Sequence, residues 1–218
     1  MKNFNFAKVM ALVLMCAGMF FAQSCENDCD SVSCLNGGTC TDGVCDCPTG
    51  FGGDLCENAI ACSVVTCGTN ASCEVDATSG IAECYCNDGY ETDAAGDCTV
   101  QIRNRYTNGG TVNYTANQDV CISGSYNYSA KMYNDSDVTK FIIEGLGGFD
   151  APVITPKATV KDITKFELPE QTQANWGLTV KGTELGSVDT TTNNVALSYN
   201  VKFADNTTDD CTVLLDRQ

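Results

Sequence analysis

The sequence predicts a mostly β protein: two small disulfide-rich modules followed by an antiparallel β-barrel or sandwich domain. Three observations lead there. Two blocks of six cysteines stand back to back over residues 29–98. The residues after them are nearly free of cysteine and alternate apolar with polar side chains, and no stretch carries a helical stripe. The 218 residues divide into a signal (1–24), a short acidic tether (25–28), the two modules (29–57 and 58–99) and the β-domain (100–218).

The first element is an export signal. Lys2 and Lys8 precede the apolar run "VMALVLMCAGMFFA", and small residues follow at Ala22 and Ser24. That run is shorter than the roughly 20 residues a membrane span needs, as expected of a cleaved signal. Charge then narrows the partners. Residues 25–99 hold 14 acids and no Lys or Arg, and residues 100–218 hold 14 acids against 10 bases, so the chain after the signal carries −14 − 4 = −18. Such a chain repels phosphate backbones, which excludes nucleic acid as a partner. No histidine occurs, which removes Ser-His-Asp and Cys-His catalysis and nearly all zinc and haem sites. Sixteen cysteines behind an export signal indicate an oxidising compartment.

The first cysteine block reads Cys29-x4-Cys34-x5-Cys40-x4-Cys45-x-Cys47-x8-Cys56, with the interior "CLNGGTCTDGVCDCPTGFGGDLC". A segment of about 28 residues cannot bury enough apolar surface to fold alone, so disulfides must stand in for a core. Asn36-Gly37 is the expected hairpin turn. The second block, Cys62-x4-Cys67-x5-Cys73-x10-Cys84-x-Cys86-x11-Cys98, has longer loops and "CNDGYE" where the first has "CPTGFG". Spacing alone leaves 15 connectivities for each block. Both blocks resemble epidermal growth factor (EGF)-like modules. That resemblance implies the pairs Cys29–Cys40, Cys34–Cys45 and Cys47–Cys56, then Cys62–Cys73, Cys67–Cys84 and Cys86–Cys98. Five residues separate Cys56 from Cys62, so the two modules are expected to form a stiff tandem.

Four cysteines remain. Cys16 leaves with the signal, and Cys121 and Cys211, alone in the C-terminal part, are expected to pair. Cys25 is then left over. Either ordinary cleavage leaves it as a free thiol, or it is lipidated. A free thiol beside disulfide-forming cysteines invites scrambling and a thioether does not, so parity favours lipidation. "FAQSC" resembles the lipobox of bacterial lipoproteins, and "CEND" resembles the export signals that send lipoproteins of Bacteroidetes to the outer face of the outer membrane. The implied location is the outer membrane surface, with the membrane met only through the lipid.

In the C-terminal part "NVALSYNVKFADN" places Val195, Leu197, Tyr199, Val201 and Phe203 on one face at period two, a half-buried strand. "GSYNYSAKMYN", "VTKFIIEGL", "ATVKDITKFELPEQ" and "NWGLTVKGTEL" are further β-like runs between polar turns. Cys121, "GSY", "GLGGF", "LPEQ", "VALSYNV" and Cys211 together resemble a C-terminal domain of flavobacterial surface lipoproteins, which implies a compact, lipocalin-like β-domain without implying an activity. The expected inward set includes Trp176, Leu178, Val180, Val195, Leu197, Tyr199, Val201 and Phe203. These are bulky enough to plug a small barrel, so a solid core without a sizeable pocket is expected.

Calcium-binding EGF modules carry acidic residues just before the first cysteine; here "NAIA" precedes Cys62, and only Asn58 fits. No cofactor is therefore expected, with calcium at most weak. The functional expectation is a non-enzymatic surface lipoprotein that binds a protein or glycan partner, with the EGF-like modules as spacer. The runner-up is a lipocalin-like carrier of a small apolar molecule. A secreted EGF-type signalling protein ranks third, and an enzyme last.

Overall fold

The structure is a computed structural model that describes residues 28–76, 78–149 and 153–218. The signal, Cys16 and the lipidation candidate Cys25 lie outside the described residues. The described residues cluster into two compact units, the first running up to Val65 and taking in Glu74–Glu83, the second Thr66–Cys73 with Cys84–Gln218.

In the first unit, β1 (Thr39–Thr41) and β2 (Val44–Asp46) form a hairpin with Cys40 directly opposite Cys45. Cys29–Cys40, Cys34–Cys45 and Cys47–Cys56 are bonded. The hairpin turn is Asp42-Gly43, both with positive φ (49° and 78°) as a two-residue turn of this hand requires. The expectation of Asn36-Gly37 as the hairpin turn is therefore corrected. That dipeptide has the same backbone signs but makes a separate tight turn, closed by Gly38 N–H donating to Leu35 O at 2.9 Å. Asn36 Nδ2 also donates to Cys56 O, at 2.8 Å. The linker between the cysteine blocks is held as well. Gly52 and Asn58 exchange backbone bonds of 2.8 and 2.9 Å, and Ala61 N–H donates to Gly50 O at 3.1 Å. Strands β3 (Ala71–Val75) and β4 (Ala82–Cys86) pair as a second ribbon.

In the second unit Cys67–Cys84 and Cys86–Cys98 are bonded. Cys62 and Cys73 each stand in a disulfide bond as well. Strands β5 (Tyr90–Glu91) and β6 (Val100–Gln101) lead to a single helical turn, α1 (Asn104–Thr107). A ring of eight antiparallel strands follows: β7 (Thr111–Cys121), β8 (Gly124–Asn134), β9 (Lys140–Glu144), β10 (Lys157–Val160) and β11 (Lys165–Glu167), then β14 (Gly186–Val188), β15 (Val195–Lys202) and β16 (Thr208–Arg217). Each strand pairs with the next, and β16 pairs back onto β7, which closes a barrel and decides against a sandwich. Strands β12 (Gln171–Gln173) and β13 (Leu178–Gly182) form a ribbon outside the ring, held on β15 beyond the end of β14. At the β7–β16 closure Cys121 lies directly opposite Cys211, and the two are bonded.

The barrel is filled from one end. Tyr106 of α1 is wholly buried, with its ring stacked on Phe141 at 4.4 Å and edge-on to Phe166 at 5.4 Å. Arg103 fixes this turn by donating to the carbonyls of Asp135 (2.5 Å) and Asp137 (2.9 Å). Leu178, Val180, Val195, Leu197, Tyr199 and Val201 are buried as the alternation predicts, and Phe203 is partly buried. Trp176 is a correction, because it is 39% exposed instead of core. The period-two count through 176, 178 and 180 fails because β13 begins only at Leu178, and Gly177, at φ 62°, breaks the pleat between them.

Candidate functional site

The end of the barrel opposite α1 is open, and one irregularity in β7 determines its chemistry. Val112, Tyr114 and Ala116 point inward at period two, which would place Gln118 inside next. Instead an extra residue sits between Ala116 and Asp119 against both neighbouring strands: three steps on β7 face two on β8 (Tyr128 to Tyr126) and two on β16 (Leu215 to Val213). This β-bulge turns Gln118 outward and Asp119 inward.

Asp119 is fully buried. Its Oδ2 accepts the hydroxyl of Tyr128 at 2.7 Å and that of Tyr199 in a short bond. Its Oδ1 has only the Cys121 sulfur beside it, at 3.9 Å. That sulfur belongs to a disulfide and has no proton to give, so Oδ1 receives no hydrogen bond among the described residues. Burial pushes the Asp119 carboxyl above the usual range, the two tyrosine hydroxyls pull it down, and the neighbouring Asp209 pushes it up again. Tyr128 and Tyr199 are in turn pushed far above their ordinary value, chiefly by burial.

A cleft of about 290 Å³ opens above this group. The Cys121–Cys211 bridge and Tyr199 lie along it, as does Asp209, which is 8% exposed and accepts from Ser123 N–H at 3.1 Å and from the Ser123 hydroxyl. Ser123 Oγ also bonds the hydroxyl of Tyr126 at 2.9 Å, which ties the β7–β8 turn to the rim. The walls are aromatic: Phe149 lies 5.8 Å from Trp176 at 50° and 6.4 Å from Phe203 at 60°. Gly148 lets the chain cross the ring of Tyr128, where a Cβ would fall 2.9 Å from a ring carbon. Asp119, Cys121 and Cys211 place potential ligand atoms within 4.8 Å of one another, but both sulfurs are consumed by the bridge and cannot act as thiolates.

Of the residues singled out from sequence, Tyr199, Val201 and Phe203 reach this cleft with Trp176, and so does the Cys121–Cys211 pair. The cysteines of the two modules are held in disulfides instead, with Cys29–Cys40, Cys34–Cys45, Cys47–Cys56, Cys67–Cys84 and Cys86–Cys98 paired as the resemblance implies. Asp119, Asp209 and Ser123 carry no sequence expectation, and Tyr126 and Phe149 stand there only as members of the "GSY" and "GLGGF" motifs, without a role in a site. The interruption of the β7 alternation by "ANQD" is the one sequence signal that could have found Asp119.

Charge buried on Asp119 makes a stability prediction. Its folded-state value lies above the unfolded one, so the ionised carboxylate destabilises the fold at neutral pH, and this cost fades as pH falls through the folded value toward the ordinary one. Asp119→Asn keeps an acceptor for both tyrosines. It should raise the thermal midpoint at pH 7 by several degrees, about 1 kcal/mol corresponding to roughly 4 °C in a domain of this size. The advantage over the unsubstituted protein should disappear near pH 3. Paired melts at the two pH values check this, and a lower midpoint at pH 7 contradicts it.

The fold and the site define a cysteine-stapled N-terminal region joined to a closed eight-stranded antiparallel barrel with a polar-floored, aromatic-walled mouth. Over 76 residues the chain is 41% identical to Nidogen of Drosophila melanogaster, covering 33% of this chain and 6% of that protein. Over 81 residues it is 42% identical to Lactadherin of Rattus norvegicus, covering 33% of this chain and 19% of that protein. The chain thus spans under a fifth of the length of either relative. With the observed bridges, this likeness supports an EGF-like disulfide-rich module. No family model matches the chain, and no solved structure matches it significantly.

Proposed function

We propose that the protein is an exported, non-enzymatic binding protein. It is lipid-anchored through Cys25 at the surface of a bacterial outer membrane, with the EGF-like modules as spacer and the barrel mouth as the binding site. The observation that carries this reading is the aromatic-walled cleft of about 290 Å³ at the open end of the barrel. A cleft with apolar walls and a few convergent polar groups is the usual form of a binding site. The bridges and the likeness to nidogen and lactadherin support export. Against catalysis stands the site itself: the Ser123–Asp209 pair clasps a turn through the Ser123 backbone N–H as well as the hydroxyl.

Residues 25–218 applied to glycan arrays and to purified surface proteins test the site. Trp176→Ala with Phe203→Ala should abolish any specific binding and leave the thermal midpoint within a few degrees. Retained binding would move the site elsewhere. The anchor is tested separately. Cys25→Ala should shift the protein from the membrane fraction to the soluble fraction, because the two-signal lipid attachment is lost. Unchanged membrane association rejects the lipoprotein reading.

The second reading, a carrier of a small apolar molecule, is favoured by the ring closure and the apolar cleft wall. The filled interior below the cleft limits it. Tyr114, Tyr199, Leu197 and Phe141 occupy the space that a chain-like ligand would need. Fatty acids, retinoids and haem should therefore leave the fluorescence of Trp176, the single tryptophan, unchanged. A saturable micromolar quench by any of them would favour the carrier reading.

A further inference from the structure

Taking the barrel mouth as the binding site, we infer that it is built for a small organic cation: an alkylammonium group enclosed by Phe149, Trp176 and Phe203 over the carboxylate of Asp209, with the charge of Asp119 buried behind the cleft wall.

Buried acids in this barrel domain are handled in two ways. Asp135, 9% exposed, has its countercharge in Lys157, at 2.7 Å. Asp119 and Asp209 are buried at least as deeply, at 0% and 8%, and neither has a Lys or Arg partner among the described residues. An uncompensated buried carboxylate is costly, and two close enough to influence one another are costlier. One oxygen of Asp119 receives no hydrogen bond among the described residues, where only the bridged Cys121 sulfur is recorded against it, and the β-bulge is what turns that carboxyl inward. The missing positive charge fits a ligand.

The walls agree with this. Among the described residues no lysine or arginine lines the cleft. The three rings meet at 50° and 60°, so they present faces from different directions as an ammonium enclosure requires, where a single stacking platform would suit a planar ligand. Anionic ligands meet the Asp209 carboxylate, of their own sign, in the cleft lining, with a second acid, Asp119, buried behind it. A neutral sugar could stack on Trp176 but would leave the charge of Asp209 uncompensated. Size limits the rest of the ligand: 290 Å³ lies at the small end of ligand sites, enough for a charged head with a compact body and too little for a long chain. The ammonium could belong to a free amine or to a methylated lysine displayed by a protein, and both offer the same chemistry.

Trp176 reports on its own cleft. Titrations of residues 25–218 with choline, phenethylamine and a capped trimethyllysine peptide should quench it saturably. The neutral carbon isostere of choline, 3,3-dimethylbutan-1-ol, should need about tenfold higher concentration, the value of roughly 1.4 kcal/mol for a desolvated cation–aromatic and charge contact. Asp209→Asn, which keeps an acceptor for Ser123, should weaken the cations about tenfold and leave the isostere unchanged. Should that variant misfold, the comparison of choline with its isostere in the unsubstituted protein still decides. A peptide that binds more tightly than choline identifies a displayed side chain as the source, and the reverse identifies a free amine. An equal response to choline and its isostere, or a response only to methyl glucoside, overturns the cation while leaving the cleft as a binding site. Silence from every probe also overturns it, and the Trp176/Phe203 variant on arrays then decides independently whether the mouth binds anything.

Discussion

Replacing Cys121 and Cys211 together by serine should lower the stability of the barrel domain by about 4–5 kcal/mol. The bridge spans a sequence separation of 90 and closes most of the domain into one loop. In the chain-entropy model a loop of that length gives a contribution of this size. The position adds to the expectation. Cys121 is the last residue of β7, the first strand of the ring, and Cys211 lies directly opposite it on β16, the last strand. Opening this point frees the two ends of the chain that must find each other for the ring to close. Thermal melts of the double variant should show a fall of roughly 15–20 °C at about 4 °C per kcal/mol. A loss under about 1 kcal/mol would mean that the β7–β16 ladder closes the ring without help. The same substitution removes part of the cleft lining, so binding at the mouth should fall with it.

That bridge was also the best clue to the architecture. The alternation in Val195–Lys202 correctly marked a strand with one buried face. A period of two reports which face is buried and says nothing about whether the last strand returns to the first. Barrel and sandwich therefore stayed open until the pairing of β16 with β7 was visible. Turn chemistry was legible in kind and misplaced in detail. Asn36-Gly37 and Asp42-Gly43 both suit a tight turn with positive φ, and only the register Thr41↔Val44 shows which one carries the hairpin.

The candidate site was harder to read, for a physical reason. Its residues owe their positions to breaks in regularity. Gly177 takes Trp176 off the face it would share with Leu178 and Val180, and the bulge after Ala116 brings in Asp119 where strict alternation would put Gln118. Phe149 follows a 3-10 turn at Leu146–Gly148 whose backbone takes positive φ at its glycines. Periodicity finds regular structure, and this cleft is assembled from the places where regularity stops.

Tyr106 offers the second large effect and a way to separate volume from polarity. The sequence around it, "IRNRYTNGGT", has no apolar pattern, so nothing announced that this side chain would fill the end of a barrel. It does so because α1 carries it over the opening, where Phe141 stacks on it and Phe166 meets it edge-on. Tyr114 Oη also donates to its backbone carbonyl at 2.8 Å. Tyr106→Ala should cost about 3–5 kcal/mol, the range for emptying a buried aromatic site. Its hydroxyl behaves differently. It is buried with no hydrogen-bond partner among the described residues, and burial pushes the phenol well above its ordinary value. An unsatisfied buried hydroxyl destabilises, so Tyr106→Phe should be neutral or gain up to about 1 kcal/mol, because the ring contacts and the carbonyl acceptor are kept. Denaturant titrations of both variants give the comparison. A loss in the Phe variant close to that of the Ala variant would show that the hydroxyl has a partner, such as a buried water, and that the plug is held by polarity as much as by packing.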